Sequence, residues 1–369
     1  MFLHGHFRKG REPDLDRSIQ LIQSMHIGFG EAVLLHKPAN MFYISGYTGE
    51  GLLLLTASTK AIITDFRYTE QAQIQAPGYT VCMTTKGCDH NQTAFGILKE
   101  QNIAKAYYED DHITVRDYRE MEKVMEGVSF LPVDKVPEKL REIKDNDEIE
   151  KISRACNITS EAFSYILGVI KEGMTEVQIA RELENYMLTH GAQELAFHTI
   201  IASGENGSLP HATPGERKVR RGDMITLDFG AKVDGYCADM TRTIALGEPS
   251  NQMRHVYDVV FTAQQMAQDA LKAGEGCREI DAIARDYIAA QGFSENFGHG
   301  LGHSLGIDIH ENPRLSMLCT DLTRENQVLT VEPGIYLKGV GGVRIENTCV
   351  VLNGGCRPLT LAPKELIIL

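Results

Sequence analysis

Four carboxylates and a run of histidines in the second half of the chain are spaced so that their side chains can meet. Met224-Ile225-Thr226-Leu227-Asp228-Phe229-Gly230 alternates Ile225, Leu227 and Phe229 with Thr226 and Asp228, the pattern of a strand with one apolar face. Asp234-Gly235 behind it is a strong hairpin-turn signal, and Asp239 follows in Cys237-Ala238-Asp239-Met240-Thr241. The midpoint of positions 228 and 239 is 233.5, so a turn beside Asp234-Gly235 sets Asp228 and Asp239 nearly opposite on adjacent strands. Directly opposed side chains have Cβ atoms about 5 Å apart, where two carboxylates repel unless they share a proton or bind a cation. Leu329-Thr330-Val331-Glu332 and Val343-Arg344-Ile345-Glu346 repeat that geometry around Gly339-Val340-Gly341-Gly342, with Gly339 midway between Glu332 and Glu346. Taken singly, each acid reads as a polar residue on a solvated strand face. Two acid-bearing hairpins of matching geometry place like charges together on otherwise hydrophobic strands, which points to a cation.

Between the hairpins lies Phe297-Gly298-His299-Gly300-Leu301-Gly302-His303-Ser304-Leu305-Gly306, followed by His310-Glu311-Asn312-Pro313-Arg314. Glycines on this spacing let the backbone approach closely while presenting imidazoles. Four carboxylates with one histidine suit a divalent ion such as manganese, iron or cobalt. A phosphate-gripping glycine loop is disfavoured, because the spacing is not a Walker sequence and the neighbouring side chains are acidic; His-Glu-x-x-His is absent too, which removes a thermolysin-like zinc helix.

The elements that must position these groups fall into two parts. Up to Val133, helical and strand-like stretches alternate (Asp16 to Met25, Ala32 to Leu35, Gly51 to Thr56, Ala61 to Thr64, and a helix opening near Tyr68), which predicts a small α/β domain over 1–133. Pro132 and Pro137 punctuate the chain before the charged stretch Glu138 to Lys151, read as a junction at 134–148 with a solvent-facing linking helix. Over 149–369 an α+β domain is expected. Ile152, Ala155, Cys156, Ala162, Phe163, Ile166, Val169 and Ile170 keep helical spacing, and Thr175 with Gln178 makes a capping box for a helix that Gly191 ends. Glu176-Val177, Ile179-Ala180-Arg181 and Gly191 are echoed by Glu279-Ile280, Ile283-Ala284-Arg285 and Gly292 at separations of 101–104 residues, as in a domain of two related halves or by coincidence between amphipathic helices.

Composition narrows the function classes. At 369 residues, 43% hydrophobic and 24% charged, the chain is of ordinary globular type and long enough to bury a sizeable core without staples. Thirty-seven basic against 50 acidic residues give a net charge of −13, which repels phosphate backbones and anionic lipid and excludes nucleic acid and membrane surfaces as expected partners. No apolar run approaches the roughly 18–20 residues of a spanning helix; the densest is Leu52 to Leu55. The eight cysteines are dispersed, without a Cys-x-x-Cys pair, and fit reduced thiols and a cytoplasmic location. Met1 to Pro13 has neither a hydrophobic stretch nor a cleavage site and is assigned no function.

Pro210-His211-Ala212, Asp228-Phe229-Gly230, Asp239-Met240-Thr241-Arg242-Thr243, Gly298 to His303, His310-Glu311-Asn312-Pro313, Val331-Glu332-Pro333-Gly334 and Val343-Arg344-Ile345-Glu346 together resemble the dinuclear metallopeptidases with the pita-bread fold, in their Xaa-Pro branch of prolidase and aminopeptidase P. Thr64-Asp65-Phe66-Arg67-Tyr68-Thr69-Glu70-Gln71-Ala72 resembles that branch's N-terminal domain. The resemblance implies that Asp228, Asp239, His303, Glu332 and Glu346 ligate two divalent ions, manganese foremost with cobalt, iron or zinc as alternatives. Asp239 and Glu346 would bridge them. It further implies attack by a metal-bridging hydroxide on the Xaa-Pro bond of a short peptide with proline at the second position. Glu332 would shuttle the proton, and His310 and His211 would stabilise the oxyanion and position the substrate. His198 is a substrate-lining or core histidine on this reading, and Arg314 either meets a substrate carboxylate or is an exposed loop arginine. His299 is expected to be structural. Arg344 is expected on the other strand face in an ion pair, and Asn347 stands where many relatives carry an acid. A homodimer is implied. The rival readings are a methionine aminopeptidase, which generally lacks such an N-terminal domain, and a non-catalytic or creatinase-like protein, which usually loses ligands that are all present here.

Overall fold

A computed structural model of the chain describes residues 16–369, which divide after Leu140 into two units. The assignment of no function to Met1 to Pro13 lies outside the described residues. Among those described, no helix is long and apolar enough to cross a membrane.

In the first unit the chain runs α1 (Arg17–Ser24), β1 (Glu31–Leu35), α2 (Pro38–Ser45), β2 (Leu52–Thr56), β3 (Lys60–Thr64), α3 (Thr69–Gln75), β4 (Thr80–Met83), α4 (His90–Glu100), β5 (Lys105–Tyr108), α5 (Val115–Val124) and β6 (Ser129–Pro132), and α6 (Val136–Arg141) closes it, its last residue opening the second unit. The strands form one mixed sheet in the order β4-β3-β2-β1-β5-β6. Leu52, Leu53, Leu54 and Leu55 are all buried, because apolar side chains pointing both ways need cover on both faces of the sheet. Asp89 and Gln92 close a capping box at the start of α4.

The second unit opens with two helices, α7 (Asn146–Leu167) and α8 (Glu176–Thr189), and repeats that order in α9 (Asn251–Ala270) and α10 (Cys277–Ala290). Each helix pair precedes an acid-bearing hairpin. The first is built from β7 (Glu194–Leu195), β8 (Ile200–Ser203), β9 (Met224–Phe229), β10 (Ala231–Val233), β11 (Tyr236–Cys237) and β12 (Met240–Ala245). The second comprises β13 (Gly302–Ser304), β14 (Glu311–Leu315), β15 (Val328–Val331), β16 (Gly334–Leu337), β17 (Gly341–Arg344), β18 (Asn347–Leu352) and β19 (Gly355–Pro358). Their sheets run β12-β9-β8, β11-β10-β7, β14-β13-β15-β18-β19 and β16-β17. One apolar cluster lies under α9 and α10 and another under α7 and α8.

The charged junction is not solvent-facing as expected. Arg141, Lys144 and Glu148 are buried. Glu148 accepts from the Asp145 backbone at 2.9 Å, closing the capping box of α7, and from the Tyr236 hydroxyl at 2.8 Å. Charge runs read as solvated only when no partner is in view, and here the partners lie far along the chain.

Candidate metal centre

The two hairpins set their acids differently. Asp234 and Gly235 both have positive φ, 48° and 80°, which is the two-residue type I′ turn, and Val233 pairs with Tyr236 across it. That register puts Thr241, not Asp239, opposite Asp228. Asp239 therefore sits two residues off, diagonal to Asp228 on the same face; the turn centre falls one residue later than an opposed pair requires. At the second hairpin, Val331 faces Asn347 in the β15–β18 ladder and Gly334 faces Arg344 in the β16–β17 ladder. The same register runs through the break between them, so Glu332 and Glu346 stand opposite each other at the gap.

His303 enters on β13, where a Cβ added to Gly302 would lie 2.1 Å from the Thr330 carbonyl oxygen. The glycine's close approach is thus to the neighbouring strand β15, and it brings the imidazole to the acids. The His303 Nε2 is 3.3 Å from Glu332 Oε1 and 3.6 Å from Asp239 Oδ2. Its Nδ1 faces the Ser304 carbonyl at 3.1 Å and donates there, which leaves Nε2 with its lone pair toward the carboxylates. Burial, with His310 beside it, lowers the His303 pKa to about 3, so the ring is neutral.

Asp239, His303 and Glu346 are buried and each offers a ligand atom within 4.8 Å of the others. Burial, then the neighbouring Glu346, Asp228 and Glu332, raises the Asp239 carboxyl well above its ordinary range. Burial and the charges of Glu332 and Asp228 do the same to Glu346. Burial also pushes Glu332 up to about 7. Glu346 takes the Thr241 hydroxyl on Oε2 at 2.7 Å, while its buried Oε1 and the buried Oδ1 of Asp228 have no hydrogen-bond partner. Orphaned carboxylate oxygens converging with a bare imidazole nitrogen are the donor set of a hard or borderline divalent cation, so the residues fit such an ion.

Arg344 lines the same cavity and is not on the far face: it is two residues from Glu346, and a period of two keeps both on one side. It pairs with Asp228, donates from Nε to Thr241 Oγ1 at 3.0 Å and from Nη1 to the Tyr336 hydroxyl at 3.0 Å. Tyr336 continues to His299 Nε2 at 2.9 Å, and His299 Nδ1 meets the Gly300 carbonyl at 2.8 Å. Behind Glu346, the buried Arg242 binds Asn347 Oδ1 at 2.8 Å, and Asn347 donates to Gln268 at 2.8 Å. In the sequence Thr241 has no role beyond its place in the Asp239 motif, and Tyr336 does not stand out. Parity carries the signal for both, since 239 and 241, like 332, 334 and 336, share a strand face.

A cavity of about 570 Å³ opens on these groups, within the range of small-ligand sites. His198, His211, His310 and Arg314 all border it together with the five proposed ligands. His198, His211, His310 and Arg314 are all exposed, and His310 packs edge to face on the buried His303 with ring centroids 4.5 Å apart. Burial and then Arg314 lower the His310 pKa. Arg314 faces His303 across the β13–β14 ladder.

Residues 150–353 match metallopeptidase family M24, and residues 17–143 match the creatinase/prolidase N-terminal domain. The chain is 34% identical over 354 residues to the Xaa-Pro dipeptidase of Pyrococcus furiosus, an alignment spanning 95% of this chain and 99% of that one. Among solved structures it is similar to the Xaa-Pro dipeptidase from Bacillus anthracis, with 39% identity, TM-score 0.91 and coverage of 96% and 98%. It is also similar to the X-Pro aminopeptidase from Thermotoga maritima, with 37% identity, TM-score 0.89 and coverage of 96% and 100%. Acids and imidazole assembled in one cavity of the second unit, on a scaffold shared along nearly its whole length with these peptidases, place the chain in metallopeptidase family M24, with the family's pita-bread fold behind a creatinase-type N-terminal domain.

Proposed function

We propose that the chain hydrolyses Xaa-Pro bonds, in dipeptides or at the N-terminus of short peptides, with Asp228, Asp239, His303, Glu332 and Glu346 holding two divalent ions, manganese foremost. The observation that carries this is the cluster of Asp239, His303 and Glu346 beside the orphaned oxygens of Asp228 and Glu346. When bound, divalent cations supply Lewis-acid polarisation of the scissile carbonyl and lower the pKa of the attacking water. Glu332, which borders the cavity beside His303, is suited by position to take up a proton and return it to the departing amine. His310 and His211 supply imidazole donors to the oxyanion from the cavity wall. Arg314, exposed and across from His303, offers its guanidinium to the carboxylate of a short substrate, and His198 borders the same space. An Xaa-Pro bond is a tertiary amide without an N–H, so recognition falls to the shape of the pocket.

The test is a panel of Xaa-Pro dipeptides, Xaa-Pro-Yaa tripeptides and Met-Ala-type peptides assayed with added manganese, alongside elemental analysis of the purified chain. Turnover of the proline peptides with about two metals per chain is expected. Turnover of the Met-Ala set alone replaces the proline reading with methionine aminopeptidase activity, and absence of metal after reconstitution overturns the dinuclear site. The homodimer rests on the resemblance, and sedimentation of the purified chain reads it.

A further inference from the structure

The chain entering the second unit buries two cations against the loop that presents His310. The side chains of Arg141 and Lys144 are 2% and 1% exposed. Arg141 Nη2 donates to Asp308 Oδ2 at 2.7 Å and to Glu311 Oε1. Lys144 Nζ donates to Glu311 Oε2 at 3.0 Å and to Ser304 Oγ at 3.1 Å. The Glu311 side chain is 7% exposed, and its Oε1 also accepts from the backbone of Ile307 at 3.0 Å and of Asp308 at 3.1 Å. Burial works to raise the Glu311 pKa, and Lys144 and Arg141 overcome it and hold the carboxyl below its ordinary value.

Lys144 joins the two ends of one loop, holding Ser304 and Glu311 at once. Ser304 follows His303, and Glu311 follows His310, so the clamp grips the residue next to each imidazole while the rings themselves meet at 4.5 Å. A buried ion cluster is a weak source of stability, since desolvation offsets most of its attraction and apolar packing would serve as well. What it supplies is direction: four contacts on one carboxylate, from Arg141, Lys144 and the backbones of Ile307 and Asp308, leave the loop little freedom. An error of about 1 Å in the placement of a group acting on the reacting carbonyl can cost a hundredfold in rate.

We propose that Arg141, Lys144 and Glu311 are positioning residues that hold His310 in its working place over the cavity; this rests on the reading of His310 given above. The clamp acts through His310, so its effect must vanish when that imidazole is gone.

A double-mutant cycle on the full-length, manganese-reconstituted chain tests it, using the proline peptide that wild type turns over fastest. Lys144→Met is expected to lower kcat by about tenfold to a hundredfold, with KM within about threefold and metal content unchanged. In the His310→Ala background the same substitution is expected to change kcat by less than about threefold. Losses that multiply in full across the two backgrounds, or a Lys144→Met enzyme with wild-type kcat, overturn the clamp while leaving the peptidase reading intact. A wild type that cleaves no proline peptide, or a His310→Ala enzyme with unchanged kcat, overturns the functional reading and the clamp with it. If Lys144→Met does not fold, Arg141→Lys takes its place in the cycle; it keeps the charge, loses the guanidinium fork on Asp308 and Glu311, and carries the same expected outcomes.

Discussion

Glu332 and His303 face each other at 3.3 Å, and they titrate in opposite senses because burial disfavours the charged form of each. For Glu332 the pKa rises from 4.5 to about 7, so the folded protein binds the proton more tightly than the unfolded chain does. The stability this contributes is fully present below about pH 4.5 and is lost as the pH climbs through 7. His303 and His299, lowered to about 3 and 4 from 6.5, work the other way and withdraw stability as the pH falls below 6.5. Comparing metal-depleted wild type with metal-depleted Glu332→Gln removes the histidine contribution from the difference. The unfolding midpoint of wild type should fall relative to the variant between pH 4.5 and 7; parallel curves would contradict a proton held on Glu332.

The strand β13 is placed by its neighbour more than by its own propensity. Gly302 lies so close to Thr330 that no side chain fits between them, and the His303 backbone N–H donates to Thr330 Oγ1 at 3.0 Å. Gly302→Ala should therefore push β13 from β15 and cost about 1–3 kcal/mol of stability, read by urea denaturation. An unchanged midpoint would mean that the strands part without strain. The turn at Asp234-Gly235 was legible because few residues take two successive positive φ angles, whereas the register it imposes was read one residue early, enough to move Asp239 off the position opposite Asp228. The second hairpin has no such ambiguity: Gly339 lies at its centre, and both flanking ladders keep the register.

At the scale of the molecule, all four acids are carried by the second unit, which buries Asp228, Asp239 and Glu346 together and pairs the Arg344 guanidinium with Asp228. The single cluster of metal-binding geometry among the described residues lies in the second unit. An ion present at a hundred times its dissociation constant adds about 2.7 kcal/mol to the state that binds it. Stripping the ions with a chelator should lower the unfolding midpoint of this unit by roughly 5–10 °C, and added manganese should restore it. Hydrogen exchange should then report loss of protection in β9, β12 and β15 and none in the first unit's sheet. Equal loss of protection in both units would contradict a metal site confined to the second.

The amino-acid order alone determined the two-part organisation, the acid-bearing hairpins and the glycine-spaced histidines, because strand alternation, turn chemistry and capping act over a few residues. It also determined the family, through motifs spread from Pro210 to Glu346. Only the tertiary structure decided that Arg344 pairs with Asp228, that Tyr336 joins it to His299, and that Arg141 and Lys144 are buried on Glu311. Those contacts join residues 37 to 170 positions apart, apart from Arg344 with Tyr336, and no local rule ranks such partners. A charged side chain reads as solvated until the chain returns with its counter-charge.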